Sequence, residues 1–112
     1  MTDRIETLYA AVAARRGGDP ILSRTAKLIA MGLPKIAQKV GEEAVEVVID
    51  AIIGNRAGVI CESTDLLYHL VVLWQELGIA PAEIWGEMAR REAMMGIAEK
   101  LPKTPNPGPR AA

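Results

Sequence analysis

Two stretches of this sequence, residues 34–53 and 59–77, have helical periodicity and are apolar around nearly the whole helical circumference. At about 100° per residue, Ile36, Val40, Ala44 and Val47 form one face of the first, while Val45, Ile49 and Ile53 lie roughly opposite. In the second, Leu66, Leu70, Leu73 and Trp74 share one side, and Tyr68, Val71 and Val72 lie elsewhere. A helix that is apolar all round must be buried on more than one side. A chain of 112 residues is one domain that buries about two-thirds of its unfolded surface, too little protein to cover both helices. The expected answer is a helical bundle whose core is completed by a second copy of the chain, a homodimer. With aromatics at 4% and no Phe, that core must be aliphatic.

Shorter signals divide the rest. Ile5, Leu8 and Val12 sit at helical spacing in residues 2–16, and Gly17-Gly18 stop that helix. Ser23 reads as the N-cap of a short helix over residues 24–31 that Gly32 ends. Pro34 suits the first turn of the first long helix, running to about Ile53, and residues 54–58 form a loop with two glycines. The second long helix should run from about Val59 to Leu77, with Gly78 as its C-terminal signal, and Pro81 opens a last helix to about Met95. No alternating strand pattern or solenoid repeat is present. The fold class is all-α, with about five helices and the two long ones antiparallel. A domain over residues 1–100 and a disordered tail over 101–112, where four of the seven prolines lie, complete the reading.

Charge and cysteine content exclude several classes. Lys plus Arg number 13 against 14 Asp plus Glu, which removes the basic surplus needed for bulk binding of nucleic acid or an anionic membrane. Cys61 is the single cysteine, so no intrachain disulfide exists and no thiolate metal site is spaced out. Asp3, Arg4 and Glu6 occupy the region where a signal peptide would be apolar, and no window of 18 uncharged apolar residues suggests a membrane span. The expectation is a cytoplasmic protein.

The informative feature is what interrupts the apolar surfaces. Lys39, Glu43, Glu46 and Asp50 fall within about 60° of one another on the first long helix, and Glu62, Asp65, His69 and Glu76 form a second stripe on the next. Each helix thus carries an acidic pair at i,i+3, Glu43/Glu46 and Glu62/Asp65. A loop centred near residue 56 offsets the two pairs by roughly 6 Å along the axis, which leaves open whether they meet. Two carboxylates at about 4 Å repel by roughly 4 kcal/mol at an effective dielectric near 20. Converging acids therefore need protons, basic neighbours or a metal, and all-oxygen ligation favours Mg²⁺ or Mn²⁺ and phosphate chemistry. Against this stands the plain reading of an E-E-x-x-E run as a solvated face. A di-iron bundle needs two Glu-x-x-His motifs, whereas this chain has one histidine, with Leu66 three residues before it. His69 reads more simply as a hydrogen-bonded core residue, and Glu76 as a solvated charge.

The stretch SRTAKLIAMGLPKIAQKVGEEAVEVVIDA, followed by ESTDLLYHLVVLW, resembles the phosphoribosyl-ATP pyrophosphatases of histidine biosynthesis, a branch of the MazG-like all-α nucleoside triphosphate pyrophosphatases. The resemblance runs from about Ile5 to about Lys100. The E-E-x-x-E and E-x-x-D signature is common to the superfamily, and its combination with T-A-K-L and D-L-L-Y-H-L looks specific to the phosphoribosyl-ATP branch. What it implies is hydrolysis of 1-(5-phosphoribosyl)-ATP to 1-(5-phosphoribosyl)-AMP and pyrophosphate, dependent on Mg²⁺ (Mn²⁺ as the substitute). Glu43, Glu46, Glu62 and Asp65 would be the metal ligands, Glu42 or Glu46 the carboxylate that handles the attacking water, and Lys27, Lys39 and Thr25 the contacts to substrate phosphate.

Some positions stand apart from that pattern. Position 24, often aromatic in the family, is Arg24 here, and Arg90-Arg91 are expected to pair with Glu87 rather than reach the substrate. A phosphoribosyl-AMP cyclohydrolase, often fused to members of the family, is expected here as a separate functional partner. Two other readings compete: a house-cleaning nucleoside triphosphate pyrophosphatase of the same fold, and a non-enzymatic helical dimerisation module.

Overall fold

The computed structural model describes residues 3–95, and among them every regular element is an α-helix. In chain order these are α1 (Arg4–Arg15), α2 (Arg24–Met31), α3 (Leu33–Ile52), α4 (Arg56–Leu77) and α5 (Pro81–Met95). The expected all-α fold of five helices is observed. The expected disordered tail over 101–112 lies outside the described residues.

Local chemistry sets the helix ends. Asp3 caps α1 by accepting from the backbone N–H of Ile5 (2.9 Å) and Glu6 (3.3 Å). Ser23 caps α2 through the N–H of Ala26 at 3.1 Å, as its position suggests. Gly32, at φ +90°, is both the C-cap of α2 and the N-cap of α3, so one residue reverses the chain between them; a side chain at that backbone angle would be strained. Gly78 takes the left-handed conformation after α4, and Ile79 N–H closes the turn onto the Trp74 carbonyl at 2.8 Å.

The loop between the long helices departs from expectation. It comprises only residues 53–55, and α4 begins at Arg56, three residues earlier than the glycines suggest. Asn55 is the reason: its Oδ1 accepts from Gly58 N–H at 3.0 Å, which makes Asn55 the N-cap and draws residues 56–58 into the first turn. At Gly58 a β-carbon would lie 2.6 Å from the Asp50 and Asn55 side chains, so a larger residue would displace them. Asp50, on the acidic stripe of α3, is thereby engaged at the tip, with Asn55 Nδ2 donating to its Oδ1 at 3.4 Å.

Two compact units divide the described chain near Pro81. In the first, α3 and α4 pack along each other as an antiparallel hairpin, α1 lies against α4, and α2 lies against α3. The core gathers Val12, Leu28, Ile36, Val71 and Val72, with Ile5, Leu8, Tyr9 and Trp74 packed around them. It sits at the open end of the hairpin. Toward the tip, Val45, Val48, Ile49, Ile52, Ile53, Ile60 and Leu67 are exposed. Glu76 is not the solvated charge expected of it, because Arg16 Nη2 meets its Oε2 at 2.8 Å and ties the end of α1 to the end of α4. By length and composition α4 could cross a membrane; within this unit it packs along α3 and against α1, and carries Glu62, Asp65 and His69.

In the second unit, α5 is held locally by Glu87, which receives Arg90 Nε and Arg91 Nε at 2.9 Å each. This is the intrahelical pairing that the i,i+3 and i,i+4 spacing suggests.

Candidate metal and phosphate site

The early start of α4 changes the register of the acidic pairs. Counted from Gly54, the middle of the observed loop, Glu46 and Glu62 stand eight residues out on either side, and Glu43 and Asp65 eleven. The offset expected from a longer loop disappears, and the pairs face each other within one chain. One carboxylate oxygen each from Glu43, Glu62 and Asp65 lie within 4.8 Å of one another. Three carboxylate oxygens gathered this closely are an all-oxygen donor set, which a hard cation would suit.

The cluster is short of donors. Glu43 is buried, with 8% of its surface exposed. Its Oε1 has Lys39 Nζ at 3.8 Å and His69 Nε2 at 3.7 Å, distances of electrostatic approach rather than hydrogen bonding. Its Oε2 is buried without a partner, as is Oε2 of Glu62. Buried carboxylate oxygens left unpaired are costly, and either a shared proton or a cation would satisfy them.

The crowding of these acids shifts their protonation. Glu62 is pushed up to about 7, chiefly by its close approach to the Glu46 carboxylate and then by desolvation and by Glu43. Glu43 is raised as well, first by burial and then by Glu46. Crowding thus favours the protonated form in both Glu43 and Glu62, as one coupled group rather than at a single site. Glu46 is exposed at the edge of the group, close enough to perturb both neighbours, and does not belong to the tight trio. Glu42 is exposed and points elsewhere: Gln38 Nε2 donates to its Oε1 at 2.7 Å and Lys39 Nζ lies 3.6 Å from its Oε2. Those contacts, Gln38 foremost, hold its carboxyl below the ordinary value.

From this cluster a cleft of about 550 Å³ runs between α2 and the α3–α4 hairpin, with Glu43 and Asp65 in its lining. Four cations line it too: Arg24 and Lys27 from α2, Lys35 and Lys39 from α3. Of the expected phosphate contacts, Lys27 and Lys39 are both in the lining. Thr25 is beside it, its hydroxyl 2.6 Å from that of the cleft residue Tyr68 in a hydrogen bond that either atom can donate. That bond ties α2 to α4. His69 differs from the expected hydrogen-bonded core residue: its Nδ1 is buried with no partner and its Nε2 faces Glu43. Burial, followed by the nearby Lys39, holds its pKa below the usual value, which favours the neutral ring.

Tyr68, Lys35 and Arg24 line the cleft as well and are not among the phosphate contacts that the resemblance implies. The spacing Lys35, Lys39, Glu43, one helical turn apart each, was the available signal for Lys35. Tyr68 carried none, because its role depends on where α2 lies.

Comparison with known proteins points the same way. Residues 5–92 match the family described as phosphoribosyl-ATP pyrophosphohydrolase. The chain is 57% identical over 104 residues to phosphoribosyl-ATP pyrophosphatase 2 of Rhodopseudomonas palustris, covering 93% of this chain and 79% of that one. It is 54% identical over 112 residues to phosphoribosyl-ATP pyrophosphatase 2 of Bradyrhizobium diazoefficiens, covering 100% and 84%. With phosphoribosyl-ATP pyrophosphatase of Azospirillum brasilense the identity is 57% over 96 residues, covering 86% of each.

Proposed function

Because this chain belongs to the phosphoribosyl-ATP pyrophosphohydrolase family, we propose that its cleft hydrolyses 1-(5-phosphoribosyl)-ATP to 1-(5-phosphoribosyl)-AMP and pyrophosphate. The observation that carries the reading is the meeting of Glu43, Glu62 and Asp65 with two buried, unpartnered carboxylate oxygens beside a cation-lined cleft.

Glu43, Glu62 and Asp65 would hold Mg²⁺, with Glu46 as a fourth ligand or as the group that meets the water; Mn²⁺ suits the same oxygens. When bound, the ion supplies charge stabilisation at the transferring and leaving phosphate oxygens. Lys39, already at the rim of the acidic group, and Lys27 across the cleft donate to the phosphate chain. Thr25 keeps α2 at its distance through Tyr68 and offers a hydroxyl to the same oxygens. Of the two candidate bases, Glu46 is better suited than Glu42. It stands at the solvent edge of the cluster, whereas Glu42 is engaged by Gln38 and has a lowered affinity for protons.

The enzyme acts in the cytoplasm as a homodimer and hands its product to a separate phosphoribosyl-AMP cyclohydrolase. The dimer reading is supported by the outward apolar residues near the hairpin tip, among them Val48 (55% exposed), Ile52 (80%) and Ile53 (68%).

Pyrophosphate release with Mg²⁺ tests the activity, comparing phosphoribosyl-ATP with ATP, dUTP and dCTP. Rapid release from phosphoribosyl-ATP alone, abolished by EDTA, is expected. Preferential release from the other triphosphates would transfer the protein to the house-cleaning branch of the fold.

A further inference from the structure

The charges in the cleft are unevenly placed. Lys35, Lys39 and Glu43 lie at i, i+4 and i+8 on one face of α3, so Lys35 stands two turns, about 12 Å, from the level of the acidic trio. Lys39 is partly neutralised by Glu42 at 3.6 Å and Glu43 at 3.8 Å. Lys35 has no carboxylate within 4.0 Å among the described residues, although its charge is felt by Glu42. Lys27 and Met31, at i and i+4 on α2, line the cleft with Lys35, and Gly32 is the single residue between α2 and α3. The end of the cleft away from the metal ligands is therefore cationic.

A nucleoside triphosphate brings its charge to one place. The acidic trio with its cation, together with Lys39, is sufficient to engage that chain of phosphates. The Lys35 ammonium, about two turns away, has nothing to bind in ATP and suits a ligand with a second, separate phosphate monoester, a group of charge about −1.5 to −2 at neutral pH. Leu28, Met31 and Tyr68 supply apolar and aromatic lining for a base in the same cleft.

The geometry points to Lys35 as a specificity-determining residue that binds the 5′-phosphate of the added ribose, remote from the anhydride being cleaved. This assignment rests on the activity proposed above and explains how one cleft separates phosphoribosyl-ATP from ATP: the second phosphate meets a cation placed for it.

The test is a two-by-two comparison of kcat/KM. Wild type and Lys35→Gln are each assayed, with Mg²⁺, on phosphoribosyl-ATP and on its analogue lacking the 5′-phosphate of the added ribose. Loss of one charge-assisted contact predicts a fall of about 10- to 100-fold for Lys35→Gln on phosphoribosyl-ATP, mostly in KM. On the dephosphorylated analogue the variant should match wild type, and Lys35→Arg should recover much of the loss on the full substrate. Equal losses on both nucleotides would overturn the assignment by giving Lys35 to the triphosphate, and no loss on either would make it a solvated lysine. A wild type that releases no pyrophosphate from phosphoribosyl-ATP would instead overturn the activity, and this assignment with it.

Discussion

The two ends of the α3–α4 hairpin are made from similar residues and have opposite fates. At the open end Ile36, Val71 and Val72 are completely buried, because α1 and α2 lie over them. Near the tip Val45, Val48, Ile49 and Ile60 are more than half exposed, with Ile52 and Ile53 more so. Between the ends the same two helices turn carboxylates inward toward each other. The lesson is that apolarity all round a helix specifies that it must be covered without specifying by what. One end is covered by its own chain, and the other is exposed, the face on which the proposed dimer rests.

The largest expected effect concerns the region between the ends. Asp65→Asn should lower pyrophosphate release by about 10²–10³-fold or more while leaving helicity by circular dichroism unchanged, because Asp65 is exposed and contributes charge rather than packing. Wild-type turnover in this variant would remove Asp65 from the metal site. At the buried end, Ile36→Ala should cost about 2–5 kcal/mol. The loss would appear in urea unfolding as a lower midpoint; a cost below about 1 kcal/mol would mean that the core there is not close-packed.

Metal and pH act on the cluster with a defined sign. Glu62 has its carboxyl raised from 4.5 to about 7, so the folded state binds the extra proton between those values. Its contribution to stability is complete below 4.5 and is lost as pH rises to about 7. In EDTA, the melting temperature should fall across that window. Mg²⁺ at a hundred times its Kd should add about 2.7 kcal/mol, with a larger shift at pH 8, where the acids are ionised, than at pH 5. A melting temperature indifferent to both would indicate a merely solvated cluster. At the tip, Ile49→Asp should leave the monomer folded, because the residue is already half exposed, and should shift sedimentation from dimer toward monomer. A monomeric wild type at micromolar concentration would sink the dimer. The smallest effect is expected for Glu76→Gln, which removes the Arg16 pair at the open end and should cost about 0–1 kcal/mol in thermal unfolding.

Much of this was legible from residue order. Asp3, Ser23, Gly32 and Gly78 mark helix ends by local hydrogen bonding or backbone angle, and such signals act within a few residues wherever the segment lies. The two glycines point to a longer loop than the one observed, because Asn55 captures the Gly58 N–H and sets where α4 begins. That difference of three residues decides whether the acidic pairs miss or meet. Glu76 and Tyr68 were beyond local reading, since their partners Arg16 and Thr25 are 60 and 43 residues away.

By itself the sequence determined the five helices, the two acidic pairs and the need to cover more apolar surface than 112 residues can hide, because periodicity, caps and composition are properties of neighbouring residues. Tertiary structure decided which carboxylates share one space, which lysines enter the cleft and which hairpin end is left bare. Those outcomes depend on register and on where α1 and α2 come to rest, and both are set by contacts between residues far apart in the chain.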